Sequence, residues 1–279
     1  LKTDHLDKIL EIDYKNENLT CQAGVTIDQI NNEINNDDYI LPVTGGFEKI
    51  SVGGAIANDI HGKNFFHYSS FGSHINWIKI LLSDGEIRVI SRDKYSDLFF
   101  ATIGGIGLTG IILEACIKII KVKNLGIKVE NIVIKNESIF QHLKKHSVHN
   151  DYCYGILSFH SRNKLSFIKL GNFSSEAVVK KRNNLSFLSP FLLGIFFKFS
   201  IKFTHRLVYS LLTILYRKRY YKKQVHLNDY LYTYNNSLNY MEGVQVHYVV
   251  READSENAFL KISKFHFPSP KYLMQPTID

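Results

Sequence analysis

Between residues 7 and 25, "DKILEIDYKNENLTCQAGV" carries short alternating apolar runs around the polar turn Lys15–Asn18, a pattern that predicts two paired strands. The spacing then becomes helical in "TIDQINNEINN", with Thr26 as its cap. "YILPV" is a continuous apolar run and predicts a buried strand. "HINWIKILLSDGEIRVIS" predicts a hairpin, because Asp84-Gly85 supplies turn chemistry between two apolar runs. "YSDLFFATIGG" predicts a helix with Ser96 near its cap and Gly104 at its stop. "IILEACIKIIKV" alternates, with Leu113, Ala115, Ile117 and Ile119 expected on the core face and Glu114 and Lys118 on the other.

The texture changes beyond about residue 124. "GIKVENIVI", "YCYGILSFH", "KLSFIKL" and "GVQVHYVV" are strand-like, the middle pair joined by a polar turn at 161–163, and together predict a second antiparallel sheet. Mixed elements followed by mostly strands indicate an α+β fold, divided as 1–124 and 125–279, with a basic apolar insert at 178–223 and no internal repeat.

Composition adds bounds. The 279 residues are 45% hydrophobic and 22% charged, enough for a substantial core. Cys21, Cys116 and Cys153 are far apart and signal neither a disulfide framework nor a metal site, so a reducing compartment is expected. The start at Leu1 and the end at "PTID" read as an incomplete chain. Charge is uneven. Residues 178–223 hold eleven of the 34 Lys and Arg and none of the 26 Asp and Glu, leaving 23 against 26 elsewhere, a formal −3. That asymmetry argues against a chain-wide nucleic-acid surface.

The candidate chemistry sits in "SVGGAIANDIHGKN", residues 51–64. Gly53 and Gly54 remove two Cβ atoms, and Ala55 and Ala57 keep the following turn slim. Such a stretch suits either a tight turn with tight helix packing or a loop that presents N–H groups to a pyrophosphate or a flavin edge. A second cluster, "TIGGIGLTGII", has neither the spacing nor the preceding strand of the dinucleotide fingerprint. Two slim loops flanking one hairpin suit a buried planar cofactor. His61 reads either as an ordinary satisfied histidine or as a site residue, Lys63 as a cation for an anionic substrate or reduced flavin, and Asp59 equally as a capping carboxylate.

"VGGAIANDIHGKN", "FGSHINWIKILLSDGEIR" and "LFFATIGGIGLTGIILEACIKI", in this order and spacing, resemble the FAD domain of the decaprenylphosphoryl-β-D-ribose 2-oxidase family, within the vanillyl-alcohol-oxidase (PCMH-type) flavoprotein superfamily. The resemblance is dense from Leu6 to Val122. It implies a PCMH-type FAD-binding domain followed by an antiparallel-sheet substrate, or cap, domain. It further implies that Gly46, Ser51, Val52, Gly53 and Gly54 meet FAD through their backbone, that Asn58, Asp59, Ile60 and His61 follow the isoalloxazine, and that Ile112 closes on the cofactor. Lys63 matches a lysine on the substrate side, and Gln245, His247 and Lys264 match substrate-domain positions. Departures are Asn58 for cysteine, Gly45 for proline, Ile106 for asparagine and His247 for glutamine, which fit FAD better than they fix a substrate. A glycine-rich pyrophosphate loop before Leu1 and a late lysine and tyrosine after Asp279 are family elements that lie outside this sequence.

The implied activity is oxidation of a secondary alcohol of a polyprenyl-phosphate pentose to a ketone, with His61 and Lys63 as the local catalytic candidates and no metal. A sugar-lactone or other alcohol oxidase, and an inactive fragment that only folds, are the alternatives. A short-chain reductase that returns the ketone to the opposite alcohol is an implied partner. In the basic insert, Ile195, Phe199, Phe203, Leu207 and Leu211 recur every four residues beside Lys198, Lys202 and Arg206. This stripe is expected either as a core helix or as a helix lying on anionic lipid through 195–223, which would make a cytoplasmic protein peripheral to the inner face of the plasma membrane.

Overall fold

The computed structural model describes residues 5–135, 138–156, 165–176, 223–232 and 257. The chain divides into two units, Leu1–Leu125 with Ser175–Ala177, and Gly126–Ser174 with Val178–Asp279.

In the first unit β1 (Ile9–Asp13) and β2 (Asn18–Gln22) pair antiparallel, and Asp13 closes their turn by accepting the N–H groups of Lys15 and Asn16, both at 3.0 Å. α1 (Ile27–Ile34) starts on a capping box: Thr26 Oγ1 accepts the Gln29 N–H at 3.3 Å, and Gln29 Oε1 accepts the Thr26 N–H at 2.8 Å. Ile27, Ile30 and Ile34 form its buried face. The apolar run that follows yields only β3 (Tyr39–Ile40); Leu41 to Val43 are buried but irregular, since Pro42 has no N–H to continue a ladder.

Two short helices, α2 (Val52–Ala57) and α3 (Phe65–Tyr68), lead into the hairpin of β4 (Ile75–Leu81) and β5 (Ile87–Ser91), where Gly85 takes φ +86°. α4 (Ser96–Thr102) starts beside Ser96 and stops before Gly104, as the pattern predicts. Its N-cap is Tyr95, in a left-handed conformation without a side-chain cap, and Ser96 is already helical. β6 (Ile111–Lys118) then enters the middle of a five-stranded antiparallel sheet of order β1-β2-β6-β4-β5, while β7 (Ile120–Lys121) pairs with β3.

A bulge changes the inward face of β6. Lys79 lies opposite Glu114 but Ile80 lies opposite Ile112, so the pairing skips Leu113. Ile112 therefore joins Ala115 and Ile117 in the core, and the expected Leu113 is displaced from it. Among the described residues β1 and β5 are the sheet edges, and β5 exposes Ile87 (53%) and Val89 (43%).

The second unit is built on β8 (Gly126–Lys135), β9 (Tyr152–Ile156), β10 (Leu165–Phe173) and β11 (Lys223–His226), antiparallel in the order β11-β8-β10-β9. α5 (Ile139–Ser147) lays Ile139 and Leu143 against Cys153, Ile168 and Leu170 on one face. Gly155 lets the helix approach closely: a Cβ there would fall 2.9 Å from Ile139 Cδ1, the flexible end of that side chain. On the other face Tyr152 and Tyr154 meet Tyr230, which belongs to α6 (Leu227–Leu231), and Lys169 lies 6.0 Å from the Tyr154 ring with burial pushing its ammonium pKa down. The predicted strand "GVQVHYVV", the turn at 161–163 and the basic insert lie outside the described residues, apart from Lys223 in β11.

Candidate functional site

α2 is positioned by its start. Val52 donates its N–H to the Val25 carbonyl and Gly53 to the Ala23 carbonyl, both at 2.8 Å, while Ser51 Oγ caps Gly54 N–H at 3.2 Å. A Cβ on Gly53 would stand 3.1 Å from Ala23 Cβ and 3.2 Å from its carbonyl oxygen, so glycine suits the close approach of α2 to the chain that follows β2. Of the two readings open for the glycine pair, the hydrogen bonds match the tight turn with tight packing: the N–H groups of Val52, Gly53 and Gly54 are all bonded within the fold. What remains is a slim backbone surface.

The next turn is held from two sides. Asp59, at φ +44°, accepts the Gly72 N–H on Oδ1 at 2.8 Å, and the Gly72 carbonyl accepts from Arg92 at 3.1 Å. Asp59 thus acts as a strut between α2 and the hairpin. Ile60 donates to the Ala55 carbonyl and accepts from Phe71 N–H, and His61 bridges to Ser70. His61 is half-buried, with its ring edge-on to Phe65 at 6.1 Å, and Lys63 is half-buried on the same turn. Beneath them, Asn64 donates to the Pro42 carbonyl at 2.7 Å, and Gly62 passes so close to the Thr44 carbonyl that a Cβ would lie 2.7 Å from it. These contacts bring the 42–46 loop to the turn. Gly46 at its end is exposed, with nothing within 4 Å of where its Cβ would be.

The second glycine loop is joined to the first. Gly104 N–H donates to the Ile56 carbonyl at 2.9 Å and Ile106 N–H to the Ala57 carbonyl at 2.8 Å, so the C-terminal end of α2 carries the loop directly. Thr102 and Thr109 hydroxyls meet at 3.0 Å across its neck, and Gly104 and Gly107 have φ +70° and +75°. Ile106 and Leu108 remain 74% and 89% exposed.

The candidates therefore separate by position. Gly46, Gly53, Gly54, Asn58, Asp59 and His61 lie on α2, its turn or the adjoining loop. Asn58 is exposed, with Nδ2 donating to the Gly54 carbonyl at 2.9 Å. The side chains of Val52 and Ile112 are core residues and that of Ile60 packs against the core, so only their backbones are available to a ligand. Gln245, His247 and Lys264 lie outside the described residues. No group of three or more His, Cys, Asp or Glu among the described residues is placed to hold a metal ion. A groove of about 460 Å³ lined by Trp77, Val89 and Arg92 contains none of the candidates. The Asp59–Gly72–Arg92 connection and the joining of the two loops were not readable in the sequence; the repeated glycines were the one signal that pointed to the second loop.

Residues 1–91 match the family described as FAD binding domain. The matched stretch is joined to the second glycine loop by the two hydrogen bonds to α2, and open Gly46 together with exposed Ile106 and Leu108 fits a flat, partly apolar group. Similar curated proteins include decaprenylphosphoryl-β-D-ribose oxidase of Mycolicibacterium smegmatis, 42% identical over 114 residues, covering 40% of this chain and 25% of that protein. A putative D-arabinono-1,4-lactone oxidase of Neurospora crassa is 30% identical over 123 residues, covering 44% and 22%. A probable mitochondrial D-2-hydroxyglutarate dehydrogenase of Oryza sativa subsp. indica is 28% identical over 118 residues, covering 40% and 21%. The chain thus matches about a quarter or less of the length of each relative.

Proposed function

We propose that the full-length protein is an FAD-dependent oxidoreductase that oxidises a secondary alcohol of a polyprenyl-phosphate pentose to a ketone. The observation that carries this reading is the union of the two glycine loops at the end of α2, inside and beside the matched FAD-binding stretch. The 42% identity to a decaprenylphosphoryl-ribose oxidase supports the choice of substrate class. FAD, when bound, supplies the hydride-accepting chemistry. The chain's own tasks are to seat the cofactor on a backbone surface from Gly46 to Gly54, to take the substrate hydroxyl proton on His61 and to set a positive charge near the anionic reactants with Lys63. In this reading residues 125–279 form the substrate domain, Gln245, His247 and Lys264 face the sugar, and a short-chain reductase completes an epimerisation.

A lactone oxidase is the second reading, favoured by the likeness to the Neurospora protein. Turnover of a polyprenyl-phosphate pentose against an aldono-lactone separates the two.

Gly46→Val tests the cofactor seat. A Cβ there has no protein atom within 4 Å and the position is exposed, so thermal stability is expected to stay within a degree or so, as for surface changes of about 0.5 kcal/mol or less, while flavin absorbance of the purified protein is lost. Undiminished flavin content in this variant removes Gly46 from the seat. Membrane contact through 195–223 at the inner face of the plasma membrane belongs to the same proposal, because a polyprenyl tail stays in the bilayer. Co-sedimentation with anionic vesicles at low salt, weakened by added salt and by Lys198→Glu with Lys202→Glu, is the expected result. Indifference to such vesicles ends the membrane reading.

A further inference from the structure

Ile106 is a β-branched residue in the left-handed region, at φ +53°. That conformation brings Cβ against the following carbonyl, so glycine adopts it freely, asparagine tolerates it and isoleucine is disfavoured. Burial does not offset the cost, because the side chain is 74% exposed. Nor is the loop loosely held. Ile106 N–H is fixed to the Ala57 carbonyl, Gly104 N–H to Ile56, and Leu108 N–H to Gly105 at 2.9 Å. An ordered loop therefore holds a strained, water-facing isoleucine, followed two residues on by the 89% exposed Leu108, against the last turn of the glycine helix.

We propose that Ile106 is a contact residue for bound FAD, held in place before binding at the expense of the free protein's stability. The inference rests on the FAD reading of this site. FAD is the occupant chosen because the loop is hydrogen-bonded to α2, which lies within the matched 1–91 stretch, so the apolar lip continues the same surface. Ordering the contact in advance removes part of the entropy cost of binding, and the strain is recovered as apolar burial once the ligand covers the lip.

Ile106→Gly and Ile106→Asn both relax the backbone and remove the apolar group. In the full-length protein freed of flavin, each raises the melting temperature by about 2–4 °C, and each weakens FAD about tenfold in a fluorescence-quenching titration. Ile106→Val, which keeps the branching and most of the surface, stays within about threefold of wild type. Wild-type FAD affinity in both the Gly and Asn variants overturns the inference while leaving the FAD reading intact. Weakened binding with no rise in apoprotein stability also overturns it, since that outcome reports general disruption of the loop. A wild-type protein that binds no FAD removes the reading beneath it.

Discussion

At the scale of single residues, the glycines divide into those the fold needs and those it leaves open. Gly110 adopts φ +152°, and a Cβ on it would fall 2.5 Å from the Leu81 carbonyl oxygen and 3.0 Å from Ile80 Cγ1. Backbone at that distance cannot swing aside as a flexible side chain can. Gly110→Ala is expected to destabilise the first unit by about 1–3 kcal/mol from the conformation alone, with Gly46→Ala neutral as its partner control in a urea titration. Equal stability of the two variants would contradict the placement of Gly110. From the sequence alone Gly46 and Gly110 are alike, because what separates them is where another strand's carbonyl passes. The same holds for Asp59: as letters it reads equally as a cap or a cofactor ligand, and only the approach of Gly72 assigns its carboxylate.

At the scale of elements, what could be read was what local chemistry decides. The first hairpin, α1 with its Thr26–Gln29 box and the β4–β5 hairpin each carry their own turn or cap residues, and each appears where the pattern puts it. The failures are those in which a distant partner intervenes. Pro42 ends a strand that hydrophobicity alone would extend, and the bulge opposite Lys79 and Ile80 exchanges Leu113 for Ile112 on the core face. α5 was unforeseen because its inward residues, Ile139 and Leu143, are only one helical turn apart within a polar and basic segment. Its companion Gly155 gains meaning only once β9 lies beneath the helix. In the candidate site the same division applies. "VGGAIANDIHGKN" announces a slim, polar-ended turn, whereas the hydrogen bonds from Gly104 and Ile106 to the end of α2 span nearly fifty residues of chain and leave no local trace.

For the whole molecule, proton linkage sets the response to acid. His74 donates a hydrogen bond to the Tyr68 carbonyl, at 2.6 Å, but burial, with Lys118 and Arg92 nearby, holds its pKa below the ordinary 6.5. His146 is shifted the same way by burial and by His142. A histidine whose folded pKa is lowered binds more protons when unfolded, so its destabilisation begins as pH falls through the unfolded value and deepens until the folded pKa is reached. Asp13, held low by the Asn16 side chain and then the Asn16 backbone, acts with the same sign only further into acid. Melting temperature is therefore expected to decline from about pH 7 to about pH 5, and His74→Gln to flatten that slope whatever it does to absolute stability. A slope unchanged by the substitution would remove His74 from the linkage. The outermost strand of the first sheet has a different consequence. Among the described residues β1 and β5 are the unpaired edges; on β1 the register shift between Ile9 and Glu11 interrupts the edge, but β5 has no such break, and Arg88, the charge between exposed Ile87 and Val89, is matched by Glu86. An edge with apolar flanks and a neutralised guard is a template for intermolecular strand addition. Concentrated protein refolding from denaturant should accordingly lose material to aggregates seeded along β5, and the yield should depend on chain concentration more than on time.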